Sequence, residues 1–251
     1  MRGDRLLIED HHRRAAQDLC TIVLRRLPSH ESPRFCVGIA GESGSGKSET
    51  AAALTEELQQ AGAPAIVIQQ DDYFFLPPRT NAQRRRRDLE WVGPQEVDLA
   101  RLDADAAVAQ SGAASLEKPL VDYPANEVLK ESLDLTGFLV IVIEGTYVML
   151  LNHLDLRAFI DRTIHETKEA RLRRCREPQD DILHQVLERE HKIISTHRSF
   201  ADILVTKAYE VILRDDADQE NTKLKESLGA PATPVDLEIA SDADTPSRRG
   251  W

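Results

Sequence analysis

Val37-Gly38-Ile39-Ala40-Gly41-Glu42-Ser43-Gly44-Ser45-Gly46-Lys47-Ser48 is the stretch on which the reading of this 251-residue chain turns. From Gly41 to Ser48 it fits the spacing Gly-x-x-x-x-Gly-Lys-Ser. In that pattern the glycines let successive backbone N–H groups converge on a phosphate, the lysine neutralises charge and the serine hydroxyl reaches a Mg2+. The pattern needs a strand before it and a helix behind it, whose positive N-terminal end adds to the anion site. Both are legible independently. Residues 35–40 form a short apolar run, and Ala51, Leu54, Leu58 and Ala61 recur at helical spacing over 47–60. The candidate nucleotide-binding residues are therefore Gly41, Glu42, Ser43, Gly44, Ser45, Gly46, Lys47, Ser48 and Glu49. A flexible Gly/Ser turn is the competing reading, and the strand–loop–helix order weighs against it. No Gly-x-Gly-x-x-Gly opens a helix, so the expected ligand is a triphosphate and not a dinucleotide.

Outward from this loop the chain alternates strand and helix. Gly62 and Pro64 stop the first helix, and residues 65–68 start a second strand that runs into Asp71-Asp72. Residues 137–143 are continuously apolar, as a central parallel strand covered on both faces should be, and Glu144 stands at its exit. Shorter strands are expected at 158–160 and 202–205, with helices over 94–110, 167–176 and 181–195. The sum is an α/β domain over 29–214, a parallel five-stranded sheet with helices on both faces and a short helical lid. Residues 73–91, rich in proline, arginine and aromatics, read as a functional loop with one helical turn. An amphipathic helix over 5–27 precedes the domain (1–28), and 215–251 reads as an acidic, mobile tail.

In an open parallel sheet, ligands sit beyond the carboxyl ends of the strands. Asp71 and Glu144 should therefore converge beside the phosphate loop. Transfer of a phosphoryl group needs a base for the acceptor hydroxyl and oxygen ligands for a metal. Asp71 suits the first task, and Ser48, Asp71 and Glu144 suit the second. Adjacent residues point in different directions, so only one of Asp71 and Asp72 should face the ligand. Acids that merely cap the next helix are the alternative.

Bulk composition excludes several classes. A net charge of -11 argues against a general nucleic-acid binder. The three cysteines, Cys20, Cys36 and Cys175, have neither disulfide-framework nor zinc spacing, which fits a reducing cytoplasm. No apolar run approaches the roughly 18 residues of a membrane span, and the first residues do not read as a signal peptide.

Taken with Gln70-Asp71-Asp72-Tyr73-Phe74 and Ile143-Glu144-Gly145-Thr146, the phosphate loop resembles the uridine kinase and phosphoribulokinase family over about 35–214. Phe200-Ala201-Asp202-Ile203-Leu204-Val205 is similar to the family's last strand motif. The resemblance implies ATP as donor, Mg2+, a small hydroxyl-bearing acceptor and self-association. It implies Asp71 as catalytic base, and Ser48 and Glu144 as residues serving the metal. Val121-Asp122-Tyr123 resembles the acceptor-pocket segment, which makes Asp122 and Tyr123, with Tyr73, candidate substrate contacts. Two departures stand out. Uridine kinases carry Asp-His-Pro-Asp where this chain has Val92-Gly93-Pro94-Gln95, and a His and an Arg where it has Asn126 and Val128. Reaction and fold are therefore expected to carry over better than substrate.

Two arginine groups remain. Arg171 and Arg174, at i and i+3, with Arg173 and Arg176, would suit a lid over a triphosphate, or else a solvated face paired with Glu169 and Glu177. Arg84, in the run Arg84-Arg85-Arg86-Arg87 with Arg79 before it, could hold an anionic acceptor such as a sugar phosphate, or the run could be compensated by Asp88 and Glu90. The four histidines at 165, 184, 191 and 197 read as surface residues. The expectation is an ATP-dependent phosphotransferase acting on a hydroxyl of a small metabolite, with Lys47, Asp71, Arg171 and Arg174 as its catalytic residues. Its rival is a nucleotide-binding regulatory protein without such activity.

Overall fold

The computed structural model describes residues 1–3, 6–174 and 180–214. The expected acidic tail, Cys175, Arg176 and Glu177 lie outside the described residues, as does the side chain of Arg174. The elements are α1 (Asp10–Arg26), β1 (Phe35–Gly41), α2 (Lys47–Gln60), β2 (Ala65–Gln69), α3 (Pro78–Arg87), α4 (Leu99–Gln110), β3 (Ser115–Asp122), β4 (Glu127–Asp134), β5 (Val140–Glu144), β6 (Leu156–Ile160), α5 (Lys168–Arg174), α6 (Asp181–His197), β7 (Ile203–Val205) and β8 (Val211–Leu213).

Strands β2-β5-β1-β6-β7-β8, in that order, form the main sheet. The first five are parallel. The sheet has six strands where five were expected, because β8 adds antiparallel to β7 at the edge. A tight turn makes this possible: Thr206 N–H donates to the Glu210 carbonyl at 2.8 Å, and Tyr209 takes a left-handed φ of 63°. Three residues of β8 carry too little pattern to read as a strand.

Val37, Ile39, Val140 and Val142 face one side, where they join Leu54 and Leu58 of α2 and Ala15, Leu19 and Val23 of α1 in one core. Alternate residues face the other side, where α4 packs against β1 and β5. The compact unit runs from Met1 to Arg214, so α1 belongs to the same body as the sheet. Two further differences from expectation lie between β2 and β5. The segment 78–87 is a full helix and not a loop with one turn, and β3 and β4 form a separate antiparallel ribbon.

Register decides where chemistry can happen. Glu144 pairs with Ile39 on one side and Gln69 on the other, so the carboxyl ends of β1, β2 and β5 lie level. The phosphate loop leaves β1, and Asp71 follows β2 in a 3-10 turn (Gln70–Tyr73). From β1 the chain serves strands on one side (β2, β5) and then on the other (β6, β7), which puts the switch point of the sheet at this loop.

Candidate active site

Three glycines, Gly41, Gly44 and Gly46, shape the phosphate loop, and none of them has room for a side chain. Gly44 has φ 76°, and a Cβ there would stand 2.8 Å from Cγ of Arg171. Gly46 has φ 94°, and a Cβ would stand 2.7 Å from Nε2 of His12. Lys47 Nζ donates to the Glu42 carbonyl at 3.0 Å, and α2 begins at Lys47 with its first N–H groups aimed into the loop. Ser48 Oγ donates to Glu144 Oε1 at 3.0 Å. Gln69 Nε2 donates to the same oxygen at 3.2 Å.

Glu144 is 4% exposed. Burial, with the Asp71 charge beside it, pushes its carboxyl up to about 7, against the opposing pull of Lys47 and of the bonds from Ser48 and Gln69. Asp71 and Asp72 separate as adjacent residues should. Asp71 lines a cleft of about 380 Å³ together with Ser43, Gly44, Lys47, Ser48, Glu144, Thr146 and Arg171. Asp72 turns into β3, where it accepts from Lys118 Nζ at 2.7 Å and from the Val121 N–H at 2.9 Å. Tyr123 also lines the cleft.

The other sequence candidates stand elsewhere. Tyr73 is buried, its hydroxyl donating to Asp105 at 2.9 Å. Asp122 caps the ribbon turn by accepting from the Ala125 N–H at 2.9 Å and is outside the cleft lining. Arg84 is likewise outside it, exposed, 3.4 Å from Asp88 and over the Trp91 ring. Arg86 pairs with Asp180 at 2.6 Å. Arg85 does reach the cleft, but its guanidinium is held by Glu96 at 3.0 Å and Glu190 at 3.1 Å. Arg84, Arg85 and Arg86 therefore follow the compensated reading, through Asp88, Glu96, Glu190 and Asp180, whereas Arg79 lines the cleft and donates to the Pro124 carbonyl at 2.6 Å.

The model of the phosphoribulokinase / uridine kinase family matches residues 36–203. The chain belongs to that family. It is a small-molecule kinase of the P-loop type. The kinase is 28% identical over 184 residues to the uridine kinase of Proteus mirabilis (strain HI4320), covering 68% of this chain and 86% of that one. It is 27% identical over 188 residues to a bifunctional alpha-galactosidase/sucrose kinase of Mediterraneibacter gnavus, covering 69% of this chain but only 20% of that longer protein. Its fold matches that of the D-glycerate 3-kinase from Cryptococcus neoformans var. grubii, with a TM-score of 0.56 at 15% identity over 78% of this chain and 97% of that one.

The family implies ATP and a divalent cation, and the residues of the kinase fit both. A hydroxyl and two carboxylates are the hard oxygen donors Mg2+ prefers. Two acids side by side, one of them buried and pushed up in pKa, form a site whose charge calls for a cation.

Sequence reasoning missed three groups in the kinase. Leu183, Val186, Leu187 and Glu190 of α6 form one wall of the cleft; the amphipathic period of this helix was visible, its role was not. His191 on the same helix, taken for a surface residue, bonds through Nδ1 to Glu42 Oε1 of the phosphate loop at 2.6 Å, and burial raises the Glu42 carboxyl. Asn81 and Arg85, one turn apart on α3, both reach Glu96, and Asn81 also accepts from the Trp91 indole at 2.8 Å. A second cleft, of about 290 Å³, opens on the outer side of the loop, bordered by Gly44, Gly46 and Glu49 and walled by α1, Arg162, Arg173 and Tyr209. Among the described residues no helix is long and apolar enough to cross a membrane.

Proposed function

We propose that the kinase transfers the γ-phosphoryl group of ATP to a hydroxyl of a neutral small metabolite, a nucleoside or an unphosphorylated sugar, bound in the cleft beside Asp71. The single observation that carries the reading is that Lys47, Ser48, Asp71 and Glu144 meet on one cleft at the carboxyl ends of β1, β2 and β5. The loop's N–H groups and Lys47 bind the phosphates. Asp71 holds the acceptor hydroxyl and takes its proton as the new bond forms, and Arg171, which lines the same cleft beside Gly44, neutralises the group in transit. Ser48 and Glu144, with Asp71, would hold Mg2+, which supplies neutralisation of the phosphate charge. The nucleoside end of ATP leaves toward the outer cleft, to which Asp71 does not contribute.

The neutral acceptor follows from what the cleft spends its charges on. Arg84, Arg85 and Arg86 have acidic partners within the protein, and Phe74, Leu76, Leu183, Val186 and Leu187 give the acceptor side an apolar face. Arg79 also lines the cleft, its guanidinium on the Pro124 carbonyl at 2.6 Å, and is the cation a phosphorylated acceptor would have to recruit.

The test is ATP consumption against nucleosides, sugars, sugar phosphates and small hydroxy acids, with Lys47→Ala and Asp71→Asn as controls. Turnover with a neutral hydroxyl compound, lost in both variants, is the expected result. Turnover only with a phosphorylated acceptor would overturn the acceptor class, and full activity in Asp71→Asn would overturn the base.

A further inference from the structure

Beyond the site, at the N-terminal turn of α1, Glu9, His11 and His12 gather against the outer side of the phosphate loop. Their ligand atoms lie close enough together to hold a metal ion, but the hydrogen bonds argue otherwise. His12 Nδ1 accepts from the Glu9 N–H at 3.0 Å, so its proton sits on Nε2. That nitrogen faces His11 Nε2 at 3.2 Å and the Tyr209 hydroxyl at 3.2 Å. The cluster thus carries a proton where a metal would need a lone pair.

The proton has a destination. The Tyr209 oxygen also receives Arg162 Nη1 at 2.7 Å, and its own hydrogen goes to the Ser45 carbonyl at 2.7 Å. Two donors on one oxygen fix the direction of that hydrogen, since a hydroxyl offers one donor and two acceptor sites. The Ser45–Gly46 peptide is trans, so holding its C=O outward on Tyr209 turns the Gly46 N–H the opposite way, toward the inside of the loop. Tyr209 does this from a left-handed backbone position that a bulky residue occupies only when its surroundings hold it there. His12 is buried, and it and Tyr209 pack so close to Gly46 that a Cβ there would stand 2.7 Å from His12 Nε2.

We propose that Tyr209 and His12 are positioning residues for the donor nucleotide: α1, through His12 and Tyr209, sets the orientation of the Ser45–Gly46 peptide and so prearranges the phosphate loop. Neither residue lies within the family-matched stretch 36–203. The first helix is therefore a functional part of the nucleotide site and not a preface to it. Prearrangement of this kind acts on the phosphates and not on the base, which gives it a distinctive signature. The inference rests on the reading that the loop binds the phosphates of ATP.

The experiment is equilibrium titration of the full chain with ATP and, separately, with inorganic tripolyphosphate, for wild type, Lys47→Ala, Tyr209→Phe and His12→Ala, with melting temperatures alongside. Tyr209→Phe keeps the ring and removes only the hydroxyl. It should lose about tenfold in affinity for both ligands equally, the size expected when one hydrogen bond to the loop is removed, with the titrations run well below its own melting temperature. Unchanged affinity for both would overturn the proposal. Loss for ATP with tripolyphosphate unchanged would overturn it as well, because the hydroxyl would then act on the nucleoside end. If Tyr209→Phe does not fold, His12→Ala, which leaves the Tyr209–Ser45 bond in place, is judged by the same two ligands: a smaller, equal loss supports the proposal and none overturns it. Wild-type binding by Lys47→Ala would bring down the phosphate-loop reading and this inference together. Loss in Lys47→Ala with none in Tyr209→Phe would bring down this inference alone.

Discussion

The two walls of the inner cleft use charge in opposite ways. On the acceptor wall, Arg85 is sandwiched between Glu96 and Glu190, and Glu96 accepts in addition from Asn81 and the Gly93 N–H. That charge is spent inside the protein, on holding α3, the 93–96 turn and α6 together. On the phosphate wall, Asp71 and Glu144 stand beside each other as like charges, and the pull of Lys47 and the bonds from Ser48 and Gln69 leave the Glu144 carboxyl raised all the same. The comparison teaches that a cleft rich in ionisable residues need not be rich in binding charge. What matters is whether a charge faces an opposite charge or a like one.

The largest effect expected from this contrast is on the phosphate wall. Asp71→Asn should lower kcat by about 10²–10⁴-fold, as removal of a general base does, while ATP binding by titration stays near wild type. On the acceptor wall the effect should be on stability. Glu96→Ala leaves Arg85 and Asn81 short of a partner, and should cost about 3–5 kcal/mol in denaturant unfolding. A loss under about 1 kcal/mol would show that this buried pair does not hold the wall.

A third prediction concerns acid. Burial first, and the His11 charge next, push the His12 imidazole down to about 4, with Glu49 and Glu9 opposing and Arg162 adding to the shift. A histidine held neutral in the folded state contributes stability that is present above its ordinary value near 6.5 and lost as pH falls through about 4. The melting temperature should therefore decline between those two values, and His12→Ala should flatten that part of the profile. The smallest effect belongs to Arg84. Arg84→Ala should change stability by no more than about 0.5 kcal/mol and leave the acceptor's KM where it was. A large rise in that KM would break the contrast between the walls.

How much of this was legible depends on which interaction carried each element. The phosphate loop, Asp71, Glu144 and the five parallel strands rest on backbone chemistry and continuous apolar runs, and both leave a local trace. Helix α3 leaves none, because the face it buries is polar: Asn81 and Arg85 repeat one turn apart and find Glu96 at a distance of more than ten residues. The ribbon was hidden in a similar way. Pro119 interrupts β3, and Lys118 occupies an inward position that only Asp72 and Glu131 make tolerable. The tie from Tyr209 to Ser45 spans 164 positions and depends on a left-handed turn, and no spacing rule reaches it.

One of these features bears on fidelity. Asp71 and Asp72 are consecutive, yet the first lines the cleft and the second is bolted by Lys118 and the Val121 N–H to the ribbon that carries Tyr123 to the cleft. With Asp71 as the proposed base, a single peptide unit would join the ribbon's cleft surface to the group that acts on the acceptor. On that proposal a molecule that seats the ribbon poorly would displace Asp71 as well, so mistakes would be punished in turnover as well as in occupancy.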